Sequence, residues 1–378
     1  PALLLTRKNS LLRDTDPTMT TPRAGIAFDI DGVFKYGRQW SPDGLSALQR
    51  VERAGLPYCF VTNGGGGLTE ATYADQFGKK VAAAGGGSLE VDAADVILSY
   101  SPWRATLAPT YANQRVLVVG DPHGDVVQLA ADFGLTKAVH YMDYVAMHPT
   151  LDPFGQAEAQ HRSHTAVANG PDEPANANGA DEEPFAAVLV FCDPYHWFAA
   201  LQLCVDVLCS PNPLAREFDA NAGPMPVHFS NPDVLWKAQH AYARFGQGAF
   251  KIALRALYKA RLQALRVPSE TVDERVGASL RQWGKPTEAT FAFIEDRLNM
   301  AEGPLQRYYM VGDNPASDME GVRRANIAHR ARGTAPWCGV LVRSGVFSDG
   351  DETNGAETVV HGVGEAVDWI IKNEQEQR

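Results

Sequence analysis

Three short apolar runs, each ending in an acid or amide beside glycine, constrain this chain more than any other feature. Ala24 to Ile30 (AGIAFDI) leads into Asp31-Gly32, Pro57 to Thr62 (PYCFVT) into Asn63 and four glycines, and Tyr308 to Val311 into Gly312-Asp313. Runs of that length without polar alternation read as strands buried on both faces, the pattern of a parallel sheet covered by helices. Helical patterns separate them. Ser41 to Ala54 has Ser41 as cap, Pro42 in the first turn and Gly55 as stop; Thr69 to Ala84 follows, then a strand at Ala94 to Ser99. The alternation continues with a strand at Gln114 to Gly120, a helix near Asp125 to Phe133, a strand at Ala186 to Cys192, and helices at His196 to Leu208 and Ala249 to Leu265. A helix from about Ser317, a strand at Gly339 to Val342 and a helix at Gly364 to Lys372 complete the reading. This predicts an α/β fold with a doubly wound parallel sheet.

Length and charge bound the function. The chain has 378 residues, which suggests two domains, and 45% hydrophobic residues supply a real core. Lys plus Arg number 34 against 45 Asp plus Glu, a formal net charge of -11. Bulk nucleic acid and anionic membrane need clustered cations, so neither is expected as a partner. No apolar run approaches a membrane span. Cys59, Cys192, Cys204, Cys209 and Cys338 are odd in number and form no CxxC, which argues against a disulfide framework or a zinc ribbon. His161 and His164 read as solvated loop residues. They sit in a stretch at 152–184 rich in Ala, Asn, Gly, Pro and acids, taken as a mobile insertion. Residues 1–23 carry Arg7, Lys8, Arg13 and Arg23 with no acid before Asp14. That tail reads as frayed or as a mitochondrial presequence, leaving a mitochondrial or cytoplasmic location.

The strand ends hold the chemistry, because ligands of open α/β sheets bind there. In Asp29-Ile30-Asp31-Gly32, two carboxylates two residues apart leave one strand together. One can attack phosphorus while the other moves a proton. Thr62-Asn63-Gly64 offers a hydroxyl and unobstructed amides, a phosphate cradle. Gly312-Asp313-Asn314-Pro315-Ala316-Ser317-Asp318 places Asp313 at a strand end and Asp318 at a helix start, hard oxygen ligands suited to Mg²⁺. Lys285, between Gly284 and Pro286, is fixed in a turn and can balance the gathered negative charge.

In this order the four motifs resemble those of the haloacid dehalogenase (HAD) superfamily of phosphatases. The resemblance covers roughly residues 22–104 and 280–372. It implies a Rossmann-like core at 24–104 and 280–378. The long stretch between the second and third motifs corresponds to an inserted C2-type α/β cap at 105–279, and GKP with TN points to subclass IIA. Relatives of that subclass act on phosphoglycolate, pyridoxal phosphate, nucleotide monophosphates and p-nitrophenyl phosphate. Cys192-Asp193-Pro194, Phe229-Ser230-Asn231-Pro232-Asp233 and Arg244 to Phe250 resemble the cat-eye-syndrome critical region protein family. One departure is that glycines follow Asn63 where relatives carry TNN.

The resemblance implies Mg²⁺-dependent hydrolysis of a small phosphorylated metabolite. Asp29 corresponds to the nucleophile, forming an aspartyl-phosphate, and Asp31 to the acid and base. Asp29, Asp31 (through its carbonyl), Asp313 and Asp318 correspond to the metal site. Thr62, Asn63, Gly64 and Lys285 would meet the phosphoryl group, and Asp193, Asn231, Asp233 and Arg244 are cap candidates for the substrate. Asp193 and Asn231, each before proline, are also good turn formers, and Trp197 and Trp236 read as core. A homodimer through the cap is common in the subclass. A phosphotransferase or mutase on the same core, or a binding protein that keeps an unused phosphatase core, are the competing functions.

Overall fold

The computed structural model describes residues 24–154, 182–214, 223–236, 240, 242–331 and 336–377. The tail at 1–23, the 155–181 part of the expected insertion, and His161 and His164 with it, lie outside the described residues.

Two parallel sheets form the framework. The first has six strands in the order Thr358–Val360, Trp337–Val342, Arg307–Gly312, Ala24–Asp29, Tyr58–Thr62 and Val96–Leu98. Ala24–Asp29 is buried throughout, which its unbroken apolar sequence requires. Its register aligns Phe28 with Val311 on one side and Phe60 on the other. Succession along the sheet runs one way through Tyr58–Thr62 and the other way through Arg307–Gly312. The order therefore reverses at Ala24–Asp29, where the crevice for a ligand forms.

Helices cover this sheet. Gly44–Ala54 buries Leu45, Leu48 and Val51 and stops at Gly55, whose φ of 69° is left-handed. It starts three residues later than Ser41 because Gly44 N–H first closes a turn onto the Ser41 carbonyl.

The second sheet has five parallel strands, in the order Leu280–Gln282, Val227–Phe229, Ala187–Val190, Val116–Val119 and Ala138–His140. All five lie in sequence between Val96–Leu98 and Arg307–Gly312, so the chain leaves the first sheet once and returns. This is a doubly wound α/β core with an inserted C2-type cap. Helices Trp197–Cys209 and Gln247–Ala264 pack on the cap sheet through Leu203, Phe250 and Leu254. Trp103 and Tyr100, just beyond the last strand of the first sheet, meet Phe191 of the cap at ring distances of 5.1 and 5.6 Å, seating one on the other. Among the described residues, no helix is long and apolar enough to cross a membrane.

Candidate active site

The C-terminal edge of the first sheet collects charge out of water. Asp29, Asp313, Asp318 and Lys285 are 6%, 4%, 0% and 2% exposed. Lys285 Nζ lies 2.8 Å from Asp29 Oδ1 and 2.7 Å from Asp318 Oδ1. The carboxylates of Asp29, Asp313 and Asp318 all lie within 4.8 Å of one another. Burial raises the Asp29 pKa well above its usual value; Lys285 opposes this, and Asp318 and Asp313 add to it. Burial and Asp318 push Asp313 up to about 7. Burial works against the Lys285 ammonium, but Asp29 and Asp318 outweigh it and its pKa is raised. Lysine therefore stays charged here.

Main-chain donors aim these carboxylates. Asp313 Oδ2 accepts Val346 N–H at 2.6 Å, and Asp318 Oδ2 accepts Asn314 N–H at 3.1 Å. Gly32 has a φ of 84°, and a Cβ there would stand 2.1 Å from the Asp313 carboxyl carbon. Glycine at position 32 is thus what admits Asp313. Ser344 Oγ donates to the Gly32 carbonyl at 2.7 Å. Ser344 and Val346 escaped the sequence reading, although their position just beyond a strand ending at Val342 was a signal available for both.

Asn63 grips Lys285. Its Oδ1 accepts Lys285 N–H at 2.7 Å and its Nδ2 donates to the Lys285 carbonyl at 2.9 Å and to Asp233 Oδ1 at 3.2 Å. Thr62 Oγ1 accepts Gly64 N–H at 2.9 Å, which shapes the loop from inside. The glycines after Asn63 now have a reason. Gly65, Gly66 and Gly67 all have positive φ, and Cβ atoms at 65 and 67 would meet Tyr100 at 2.6 Å and Val126 at 2.9 Å.

Asp31 stands apart. Its carboxylate is 55% exposed and pairs with Lys35 at 3.0 Å, so it is outside the buried cluster. Its Oδ2 lies 3.7 Å from where a Gly64 Cβ would be, at the entrance of the glycine loop. Lys35 was not singled out in the sequence.

Above that loop is a cavity of about 490 Å³ lined by Asn63, Gly64 and Gly66 and by the cap. Asp193 and Asn231 line it. Asn231 Oδ1 accepts Asp233 N–H at 2.7 Å, the turn that Asn-Pro favours. Asp233 is turned to Asn63, and burial raises its pKa to about 6 despite Lys285 and Asn63. Arg244 is exposed on the Leu235–Trp236 and Arg244–Phe245 hairpin and does not line the cavity. Trp197 packs against the cap core, as expected, while also lining the cavity; Trp236 lines it too but is 51% exposed, so the expectation of a core residue fails at Trp236. Asp121, Tyr195, Phe245 and Gln247 are further lining residues that the sequence reading did not name as candidates, although Phe245 and Gln247 fall within the Arg244 to Phe250 motif.

His123, His140 and Asp143 form a second group at metal-ligand spacing. Both nitrogens of His140 are engaged, Nε2 with the Gly120 carbonyl at 2.8 Å and Nδ1 with Met142 N–H at 3.2 Å. That leaves His140 no lone pair for a metal.

A parallel sheet with buried carboxylates at its switch point, under an inserted cap, defines a hydrolase-type α/β site. Two family models match the chain, haloacid dehalogenase-like hydrolase over residues 26–136 and HAD-hydrolase-like over residues 282–366. A mitochondrial hydrolase of Saccharomyces cerevisiae is 30% identical over 361 residues, covering 88% of this chain and 90% of that one. The chain belongs to the haloacid dehalogenase-like hydrolase family. Its fold is shared by a p-nitrophenyl phosphatase from Archaeoglobus fulgidus, with a TM-score of 0.56, 16% identity and coverage of 93% and 100%. It is shared too by a glycerol phosphate phosphatase from Mycobacterium tuberculosis in complex with magnesium, with a TM-score of 0.53, 18% identity and coverage of 92% and 78%.

Proposed function

We propose that this protein is a Mg²⁺-dependent phosphatase of a small phosphorylated metabolite, working through an aspartyl-phosphate. The observation that carries the reading is the buried cluster in which Asp29, Asp313 and Asp318 share one ammonium, Lys285. Fully ionised, three carboxylates and one lysine would carry two excess negative charges out of water, an excess that the raised pKa values of Asp29 and Asp313 register and that a divalent cation with oxygen ligands would offset. The magnesium complex of the M. tuberculosis phosphatase supports the choice of metal. Asp29, Asp313, Asp318 and the main-chain carbonyl of Asp31 would hold Mg²⁺, whose charge would draw a phosphate to an otherwise repelling site.

The chain's own groups divide the remaining work. Asp29 attacks phosphorus, splitting one displacement into two. Lys285, tied to Asp29 and fixed by Asn63, neutralises charge on the transferring group. Thr62 and the amide of Asn63 cradle its oxygens, with Gly64 N–H holding the Thr62 hydroxyl in place. Asp31, at the loop entrance and free of the buried cluster, protonates the leaving oxygen and then takes a proton from water. The yeast relative supports a mitochondrial setting; cell fractionation with an epitope-tagged chain checks it.

Hydrolysis of p-nitrophenyl phosphate that needs Mg²⁺ and is lost in Asp29→Asn is the expected result. A Mg²⁺-loaded chain that turns over nothing in a broad panel of phosphate esters would sink the reading.

A further inference from the structure

The cavity above the glycine loop has an unusual charge balance. Among the described residues that line it, Asp121 and Asp193 carry charge and no lysine or arginine is present. The two acids are not equivalent. Asp121 Oδ2 is committed to the fold, accepting Tyr141 O–H at 2.6 Å and Tyr195 N–H at 2.6 Å. Asp193 Oδ1 is buried and has no hydrogen-bond partner. Burial pushes the Asp193 pKa up to about 6, opposed by its own main-chain amide. Near neutral pH it is therefore a largely ionised, partly desolvated carboxylate with one oxygen unsatisfied, a costly arrangement that a cation held in the cavity would relieve.

The rest of the wall is aromatic. Tyr195, Trp197, Trp236 and Phe245 line the cavity. Trp197 and Phe245 lie 6.3 Å apart with planes tilted by 32°, and Trp236 Nε1–H donates to the Phe245 carbonyl at 3.1 Å, tying the wall together. Tyr195 and Phe245 are each 68% exposed, apolar surface left open at the mouth. Aromatic faces beside an unpaired carboxylate attract an organic cation and repel a second anion.

We propose that the cap cavity recognises the ammonium group of a phosphate monoester of an amino alcohol, Asp193 accepting its N–H and the aromatic wall its charge. This rests on the phosphatase reading of the adjoining site, which the cavity reaches through Asn63 and Gly64. Esters bearing a carboxylate or a second phosphate are disfavoured by the same two acids.

Three phosphonates that the enzyme cannot hydrolyse separate the contributions: 3-aminopropyl-, 3-hydroxypropyl- and butylphosphonate. Their binding to the full chain with Mg²⁺ is read by calorimetry. The amine is expected to bind at least about tenfold more tightly than the alcohol, and the alcohol more tightly than the alkyl compound. In Asp193→Asn the preference for amine over alcohol should fall below about threefold. Should that variant not fold, Phe245→Ala, at the exposed rim, should weaken the amine several-fold more than the alkyl compound. Equal or weaker binding of the amine, failure of all three to bind, or a preference untouched by either variant would overturn the proposal. Hydrolysis of p-nitrophenyl phosphate is followed alongside. Turnover without amine preference sinks this proposal alone, and amine preference without turnover sinks the phosphatase reading alone.

Discussion

The chain contains nearly the same strand ending twice. Val119-Gly120-Asp121-Pro122 closes a cap strand, and Val311-Gly312-Asp313-Asn314-Pro315 closes a core strand. Both aspartates emerge at the C-terminal edge of a parallel sheet. Their fates differ because of what converges on them. Asp313 meets Asp29 from the next strand, Asp318 from the following turn and, through these, Lys285. Asp121 meets a tyrosine hydroxyl and a main-chain amide, and its carboxylate braces the cap. A strand-end aspartate is therefore not a site by itself. The site is made by strands far apart in sequence delivering several charges to one point.

Asp29→Asn tests the strongest side of that contrast. Loss of the proposed nucleophile should lower p-nitrophenyl phosphate turnover by at least about a thousandfold. Circular dichroism should show the fold intact, since Asn keeps the volume. Lys285→Met comes next. It removes the cation between Asp29 and Asp318, and breaking a buried pair in this way costs about 3–5 kcal/mol. Urea unfolding of the metal-free chain should register that loss. Added Mg²⁺ should recover part of the stability but little of the activity. Unchanged stability without metal would mean the cluster does not depend on its lysine.

The twin aspartates supply the direct comparison. Asp313→Asn should reduce Mg²⁺-dependent turnover by about a hundredfold or more. Asp121→Asn should cost turnover no more than about tenfold, while lowering stability by about 1–3 kcal/mol through its weakened acceptor. If the two variants lose equal activity, the distinction drawn between the strand ends is wrong.

The core was legible in the sequence because its chemistry is local. Asp29 and Asp31 share one turn, Thr62 and Asn63 another, and Asp313 and Asp318 a third, each directly after an apolar strand. Even so, sequence order could not show that Asn63 turns its side chain onto the Lys285 main chain, or that Asp31 pairs with Lys35 outside the buried cluster. The cap was less legible. Its cavity draws Asp121, Asp193, Asn231 and Phe245 from four separate segments, and the short motifs around them do not show that they meet. The strands Ala138–His140, Val227–Phe229 and Leu280–Gln282 have three residues each, too few to show a period. Trp236 looked like core because tryptophan usually is, and only the hairpin that carries it places it at an open mouth.

The smallest expected effect concerns the joint between the two sheets. His228, 1% exposed, accepts Trp283 Nε1–H at Nδ1 over 3.1 Å and holds Tyr111 Oη 3.3 Å from Nε2. An Nδ1 that accepts from an indole must be unprotonated, so the ring is neutral. Burial, with Arg281 adding to it, lowers its pKa to about 4, against about 6.5 in an unfolded chain. The folded state then binds fewer protons than the unfolded one. The stability this gives is fully present above about pH 6.5 and is lost as pH falls toward 4. Raised carboxylates such as Asp313 act oppositely, their contribution being lost as pH rises toward about 7, so the whole-protein curve mixes both signs. The difference between wild type and His228→Asn isolates the ring. By urea unfolding that difference should shrink by about 1–2 kcal/mol between pH 7 and pH 5. Parallel curves over that range would show that His228 does not titrate with folding. The hydrogen bond from Trp283, two residues before Lys285, would then not be a pH-sensitive link between cap and core.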